Sequence, residues 1–191
     1  MNRWSEEMSH EKPTAETLEN AVADATRNAA SALFREFQGE TFYYFALVTT
    51  GEAHAPVVTA WSLEALAASS AKYPSDPSAV SELKWSCADS PYYGYGEGYF
   101  EEVGRLFAEF EPMDPSDPST WSRAYAKKMG AMEFALARLD REGLFGTGVL
   151  RNRIVINVEC MPPDQSNRER ALRLNPKEAL IDWLVEAAEP E

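Results

Sequence analysis

Thr41-Phe42-Tyr43-Tyr44-Phe45-Ala46-Leu47-Val48-Thr49 is followed, across Gly51 to Pro56, by Val57-Val58-Thr59-Ala60-Trp61. The first run is rich in aromatic and branched residues and is apolar on both faces, which predicts a central strand covered from two sides. The second reads as another strand. A connection this short predicts antiparallel pairing between the two. The remaining segments are read by how they could pack around this hairpin.

Upstream, Leu18, Ala21, Val22, Ala25, Ala29, Ala32, Leu33 and Phe37 recur at helical spacing, with Glu16, Glu19, Asp24 and Arg27 mostly off that stripe. The pattern predicts a helix capped by Thr14 and ended by Gly39. Residues 1 to 13 are polar and end in Pro13, as expected of a mobile tail. Downstream, Ser62 is placed to cap a short helix running to about Lys72, and Tyr73-Pro74-Ser75-Asp76-Pro77 breaks it. Leu83-Lys84-Trp85 reads as a weak extended segment. A helix is expected from about Phe100 to Phe110, then a proline-punctuated acidic loop from Glu111 to Pro118. From about Thr120, the positions Trp121, Tyr125, Met129, Met132, Leu136 and Leu139 share a face of a long helix stopped at Gly143. Arg153 to Val158 is the clearest late strand, and Pro162-Pro163-Asp164 closes it. A short helix over Arg168 to Leu174 follows. Asn175-Pro176 has the form of an N-cap with proline at the first helical position, opening a last helix with Leu180, Ile181, Leu184 and Ala188 inward. The expected architecture is a single α+β domain over 14–191, with a small mainly antiparallel sheet packed with several helices.

Composition agrees with one globular domain. The chain has 191 residues, 45% hydrophobic and 26% charged, which excludes collagenous and wholly disordered classes. Lys and Arg total 18 against 31 Asp and Glu, a formal net charge of −13, which argues against a surface that wraps duplex phosphates. The first residues lack the roughly 7–15-residue apolar stretch of a secretory signal. The apolar run that holds Tyr43 to Val48 is far below the roughly 18 residues of a membrane-spanning helix. A cytoplasmic location is therefore expected. Cys87 and Cys160 have no CxxC spacing and read as reduced thiols, with a single bridge between them left open.

The order of several landmarks resembles a bacterial family catalogued as domain of unknown function 4303. The resemblance rests on Phe42-Tyr43-Tyr44-Phe45-Ala46-Leu47, Trp61-Ser62-Leu63-Glu64-Ala65-Leu66 and Leu83-Lys84-Trp85-Ser86. It continues through Leu139-Asp140-Arg141-Glu142-Gly143-Leu144-Phe145-Gly146, the Ile154 strand and Leu172-Arg173-Leu174-Asn175-Pro176. It spans about residues 30 to 176. It carries over no catalytic residues. Members look like small acidic proteins found beside bacterial secreted toxins, so the resemblance implies an immunity or other protein-binding role.

Motifs for chemistry are sparse. Gly94-Tyr95-Gly96-Glu97-Gly98-Tyr99 invites comparison with a dinucleotide loop, but Tyr99 replaces the third glycine and Glu97, Glu101 and Glu102 would oppose phosphate. His10 and His54 have no second ligand at metal spacing, and neither HExxH nor Gly-x-Ser-x-Gly occurs. No cofactor and no metal are expected. Carboxylates are abundant, yet counting them locates no catalytic pair.

The segment Pro91 to Phe100 carries the more substantial functional reading. Tyr92, Tyr93, Tyr95 and Tyr99 are interleaved with glycines, and tyrosines are frequent interface anchors. The bland alternative is a loop folded onto the core by its own rings, leaving two tyrosines exposed. From Glu97 to Asp117, seven acidic residues face Arg105 alone, and Glu178, Asp182, Glu186, Glu189 and Glu191 repeat the bias at the C-terminus. Such runs commonly form solvated faces, but an acidic face beside tyrosines also suits a basic protein. The expectation is a non-enzymatic protein-binding protein, most plausibly an immunity protein that occludes a basic toxin domain through Tyr92, Tyr93, Tyr95 and Tyr99, with Glu97, Glu101 and Glu102 supplying charge. No direct nucleic-acid or membrane partner is expected. The rivals are a small hydrolase-like enzyme with a carboxylate- or thiol-based site, and a homo-oligomeric scaffold.

Overall fold

The computed structural model describes residues 12–111 and 113–188. Most of the expected tail, and the acidic Glu189 and Glu191, lie outside them. In chain order the elements are α1 (Ala15–Glu36), β1 (Phe42–Thr50), β2 (Val57–Ser62), α2 (Leu63–Ser70), α3 (Ala79–Leu83), α4 (Glu101–Glu109), α5 (Pro118–Arg141), β3 (Val155–Met161), α6 (Gln165–Leu174) and α7 (Ile181–Glu186). Short 3-10 turns precede α4, β3 and α7.

The hairpin forms as its composition predicts. β1 pairs antiparallel with β2, placing Phe45 opposite Ala60 and Leu47 opposite Val58. β3 then adds parallel to the other side of β1, with Tyr44 opposite Val155 and Val48 opposite Glu159. The order β2-β1-β3 makes β1 central, and Tyr43 through Thr49 are all buried. The described residues thus form an α+β domain with a small mixed sheet, one ladder antiparallel and one parallel. The parallel ladder requires a long crossover, which α2 to α5 supply.

The two faces of the sheet are covered differently. Phe45 on one face meets Phe34 of α1 at 6.2 Å and Phe145 at 5.2 Å, and Cys160 on the same face meets Tyr125 of α5. α1 and α5 pack along each other there. α1 also touches α4, which explains why Ala23, Thr26 and Ala30 are buried beside the expected stripe of Leu18, Val22, Ala25, Ala29 and Leu33. The opposite face carries Tyr44, Asn157 and Glu159 and is covered by a loop. Trp61 Nε1 donates to Ser86 O at 2.7 Å, Thr59 Oγ1 donates to Cys87 O at 2.9 Å, and the Trp85 ring lies 5.7 Å from Tyr44.

Caps set the helix starts. Thr14 Oγ1 accepts the Thr17 amide, and Ser62 Oγ accepts the Ala65 amide. Asp117 caps α5 two residues earlier than expected, accepting from the Ser119 and Thr120 amides with Pro118 at the first helical position. Asp164 likewise starts α6 at Gln165 instead of Arg168. Gly143, at φ +85, ends α5 as expected.

Two local readings are corrected. Leu83-Lys84-Trp85 is not extended: Leu83 ends α3 and Lys84 keeps helical angles, its amide bonded to Val80 O, which turns Trp85 down onto Tyr43 and Tyr44. Asn175 is not a helix cap. Its amide pairs with the backbone of Ile156, and the chain enters α7 through Pro176 and a 3-10 turn over Lys177–Leu180.

Both sheet edges are closed without further strands. On the β3 side, Asn175 engages Ile156, Arg170 Nε donates to Val158 O at 2.7 Å, and Asn167 exchanges two bonds with Cys160. On the β2 side, Gly94 N donates to Val58 O at 2.8 Å and Ser90 Oγ donates to Ala60 O. An open edge is a template for unwanted pairing, and side chains and loop backbone occupy both.

Candidate functional site

The tyrosine and glycine segment therefore has a structural duty, since Ser90 and Gly94 seal β2. Gly94 and Gly96 take φ of +76 and +68, which glycine adopts without strain. Gly96 also lies so close to α1 that a Cβ would meet the Ala29 Cβ at 3.0 Å. These residues anchor the segment and separate its tyrosines into two groups.

Tyr92 is a core residue, which corrects its expected place at a partner surface. Its ring packs 4.8 Å from Phe37 and 5.6 Å from Phe42, and its hydroxyl donates to Glu40 Oε2 at 2.5 Å. Burial and the Glu40 hydrogen bond push its phenol above the usual range. Tyr95 is half-buried against Phe37 and donates to Glu36 at 2.5 Å, a bond that, with some burial, raises its phenol to about 12. Tyr93 and Tyr99 are the exposed pair, at 50% and 47%.

The acidic residues divide in the same way. Glu102 is held by Arg105 at 2.5 Å, and Arg105 also holds Glu109 at 2.8 Å, so Glu102 is already neutralised within α4. Glu111 pairs with Lys127 and Arg123, Asp114 accepts from Ser116, and Asp117 is the α5 cap. Glu97 and Glu101 are exposed and have no basic partner within ion-pair distance among the described residues. The surface that fits the expectation thus contracts to Tyr93, Glu97, Tyr99 and Glu101.

A second constellation was missed by the sequence reading. Beneath the loop-covered face, Tyr44 Oη donates to Glu159 Oε1 at 2.8 Å, and Asn157 Nδ2 reaches the same oxygen at 2.9 Å. Cys87 Sγ is 3.4 Å from Tyr44 Oη. Glu159 is only 7% exposed, yet it lines a cleft of about 210 Å³ walled by Trp85, Cys87, Met161, Pro163 and Trp183. Tyr44 is fully enclosed, and burial, with Cys87 and Glu159 beside it, holds its phenol well above the ordinary value. It is therefore a hydrogen-bond donor at any ordinary pH.

Asn157 sharpens the picture. Its Nδ2 faces two acceptors, Glu159 Oε1 and Asn167 O at 3.1 Å, which fixes the orientation of the amide. Its Oδ1 is then buried without a hydrogen-bond partner among the described residues. The available signal was the pair of polar residues two apart, Asn157 and Glu159, within an otherwise apolar strand. Both project to the Tyr44 face.

His54 stands on the β1–β2 turn, engaging Thr50 and Glu52. Cys87 and Cys160 form no disulfide. Among the described residues no group of three or more His, Cys, Asp or Glu side chains is placed to hold a metal ion, and no helix is long and apolar enough to cross a membrane.

These features define a small α+β domain with exposed tyrosines and glutamates around the start of α4 and a carboxylate beneath an aromatic cleft. The chain belongs to the family described as Domain of unknown function (DUF4303), which matches residues 22–176. The matched span contains the hairpin, the tyrosine segment and the Tyr44, Cys87, Asn157 and Glu159 cluster, and it ends before α7. No curated protein matches the chain, and no solved structure does.

Proposed function

We propose that this protein is a cytoplasmic binding protein for a basic protein effector, neutralising it by direct contact as a toxin immunity protein does. The observation that carries this reading is the surface around the start of α4. Tyr93 and Tyr99 are half-exposed rings on a backbone pinned to β2 and α1, and Glu97 and Glu101 beside them carry charge not countered within the described residues. Rigid aromatic side chains lose little entropy on contact, and unneutralised carboxylates steer a basic partner. A net charge of −13 extends that steering beyond contact range at low salt.

The test is affinity capture from the native host at low and high salt, read by mass spectrometry, with Tyr99→Ala/Glu101→Lys as the control bait. A stoichiometric basic protein retained by the natural chain, released by salt and lost with the control, supports the reading. So does relief of that protein's toxicity on co-expression. Equal retention by the control, with its thermal stability unchanged, would place the interface elsewhere.

A second reading, a small enzyme with a carboxylate- or thiol-based site, is favoured by one observation: the cleft brings Cys87 and Glu159 to the same phenol. Tyr44 Oη and Asn157 Nδ2 both donate to the Glu159 carboxylate there.

A further inference from the structure

We infer that the cleft between the C-terminal end of α1 and the turn after α5 is the contact face of a two-fold symmetric homodimer, in which the apolar tip at Val149 and Leu150 of one copy covers the cleft of the other. The face includes none of Tyr93, Glu97, Tyr99 and Glu101, so the inference does not depend on the function proposed for them.

The cleft is apolar and preformed. It encloses about 310 Å³ and is lined by Phe34, Phe42, Leu144, Phe145, Leu150 and Ile154, with Glu40 and Arg153 as its charged members. The Phe34 ring lies 5.0 Å from Phe42 and 6.4 Å from Phe145, so these rings hold one another in place.

The tip is equally fixed. Val149 and Leu150 stand 75% and 59% exposed on the 3-10 turn over Gly148–Arg153, and Leu150 itself borders the cleft. Arg151 of the same turn is buried and donates to Asp140, to Ile154 O at 2.6 Å and to Leu174 O at 3.1 Å. Gly146 and Gly148, at φ of +96 and +55, set the path into it. Two aliphatic side chains are thus held in water by an anchored backbone. Covering them releases that hydration while little chain entropy is left to lose. An apolar tip continuous with an apolar cleft is the kind of patch that marks a protein contact.

Charge selects a second copy as the occupant. Glu40 accepts the hydroxyls of Ser62 and Tyr92, and Glu64 accepts the Thr41 amide at 2.7 Å, which places both carboxylates toward the β2 side. Arg153 leads into β3, on the other side of β1. It is exposed and has no carboxylate within ion-pair distance among the described residues. The face therefore carries acid at one end and base at the other, because the strand order separates them. A two-fold axis through its middle exchanges the ends, so Arg153 of each copy meets the partner's Glu40 and Glu64. A symmetric contact requires one patch to complement itself, and here tip matches cleft while base matches acid. A partner of uniform charge would meet a like charge at one end.

The test is sedimentation of the full chain from about 1 μM to about 1 mM, the range in which contacts of modest area associate. A monomer–dimer equilibrium without larger species is expected, since a two-fold contact closes on itself. Val149→Asp/Leu150→Asp should weaken dimerisation about a hundredfold or more, because it removes two apolar side chains and places charge against the cleft. If that variant fails to fold, Val149→Asp alone, at the more exposed position, takes its place. Arg153→Glu should weaken dimerisation about tenfold, whereas Lys72→Glu, an equal charge change at an exposed residue outside the cleft, should have much less effect. A chain monomeric throughout would overturn the inference, whether the cleft then takes up a fluorescent fatty acid, pointing to an apolar small molecule, or retains a host protein through Val149 and Leu150. A dimer indifferent to the tip substitutions would also overturn it. So would equal effects of Arg153→Glu and Lys72→Glu, which would contradict the pairing of opposite ends.

Discussion

The side-chain amide of Asn175 and the backbone of Ile156 exchange two hydrogen bonds, Ile156 N to Oδ1 at 2.8 Å and Nδ2 to Ile156 O at 2.6 Å. The amide stands where a neighbouring strand would place its own peptide group. Asn175→Ala leaves the Ile156 N–H and carbonyl to find other partners and also removes an acceptor of the buried Arg151. A loss of about 1–3 kcal/mol is expected from such unsatisfied groups. Urea unfolding measures it. Asn167→Ala, which frees the Cys160 backbone, should behave alike. Unchanged midpoints in both single variants would show that water replaces these amides without cost.

Gly96 and Gly98 sit two residues apart yet should respond oppositely to alanine. Gly96 has φ +68 and would press a Cβ to 3.0 Å from Ala29 and from Tyr99, whereas a Cβ at Gly98 meets nothing within 4 Å. Gly96→Ala is expected to cost about 1–2 kcal/mol from backbone conformation alone, with the Ala29 contact adding to it. Gly98→Ala should stay within about 0.5 kcal/mol of the natural protein. Thermal unfolding of the pair decides the point, and equal effects would contradict the close approach to α1.

Alkaline pH should unfold the protein through its buried phenols. Burial raises Tyr43, with Glu186 nearby adding to it; Tyr44 is raised by burial and then by Cys87 and Glu159, and Tyr92 by burial and Glu40. Each folded-state value lies above the ordinary 10.0. Stability from these groups is complete below that pH and is lost as pH rises through it toward the raised values, because the unfolded chain releases the protons first. Part of the tyrosinate absorbance should therefore develop together with the loss of near-ultraviolet circular dichroism. Complete ionisation of all tyrosines with the dichroism intact would refute the burial of these three hydroxyls.

Much of the domain could be read from local sequence. The 3.6-residue stripe of α1, the Thr14 and Ser62 caps and the two-sided apolar run of β1 are properties of neighbouring residues, so composition and spacing determined them. Gly143 stopped α5 for the same local reason, a left-handed backbone angle that glycine accepts. Tertiary structure decided the rest. Whether β3 joined parallel or antiparallel depended on a crossover of four helices, which no short window contains. The role of Asn175 depended on an edge 19 residues away in sequence. Tyr92 and Tyr93 are chemically identical neighbours, and only the position of Phe37 and Glu40 buried one and left the other exposed. Tyr44, Cys87 and Glu159 come from three distant segments, and the sheet register and the loop from Lys84 to Cys87 bring the thiol and the carboxylate to one phenol. Sequence determines what each segment prefers locally; which polar groups meet is set by packing, because hydrogen bonds and burial act through space and are blind to separation along the chain.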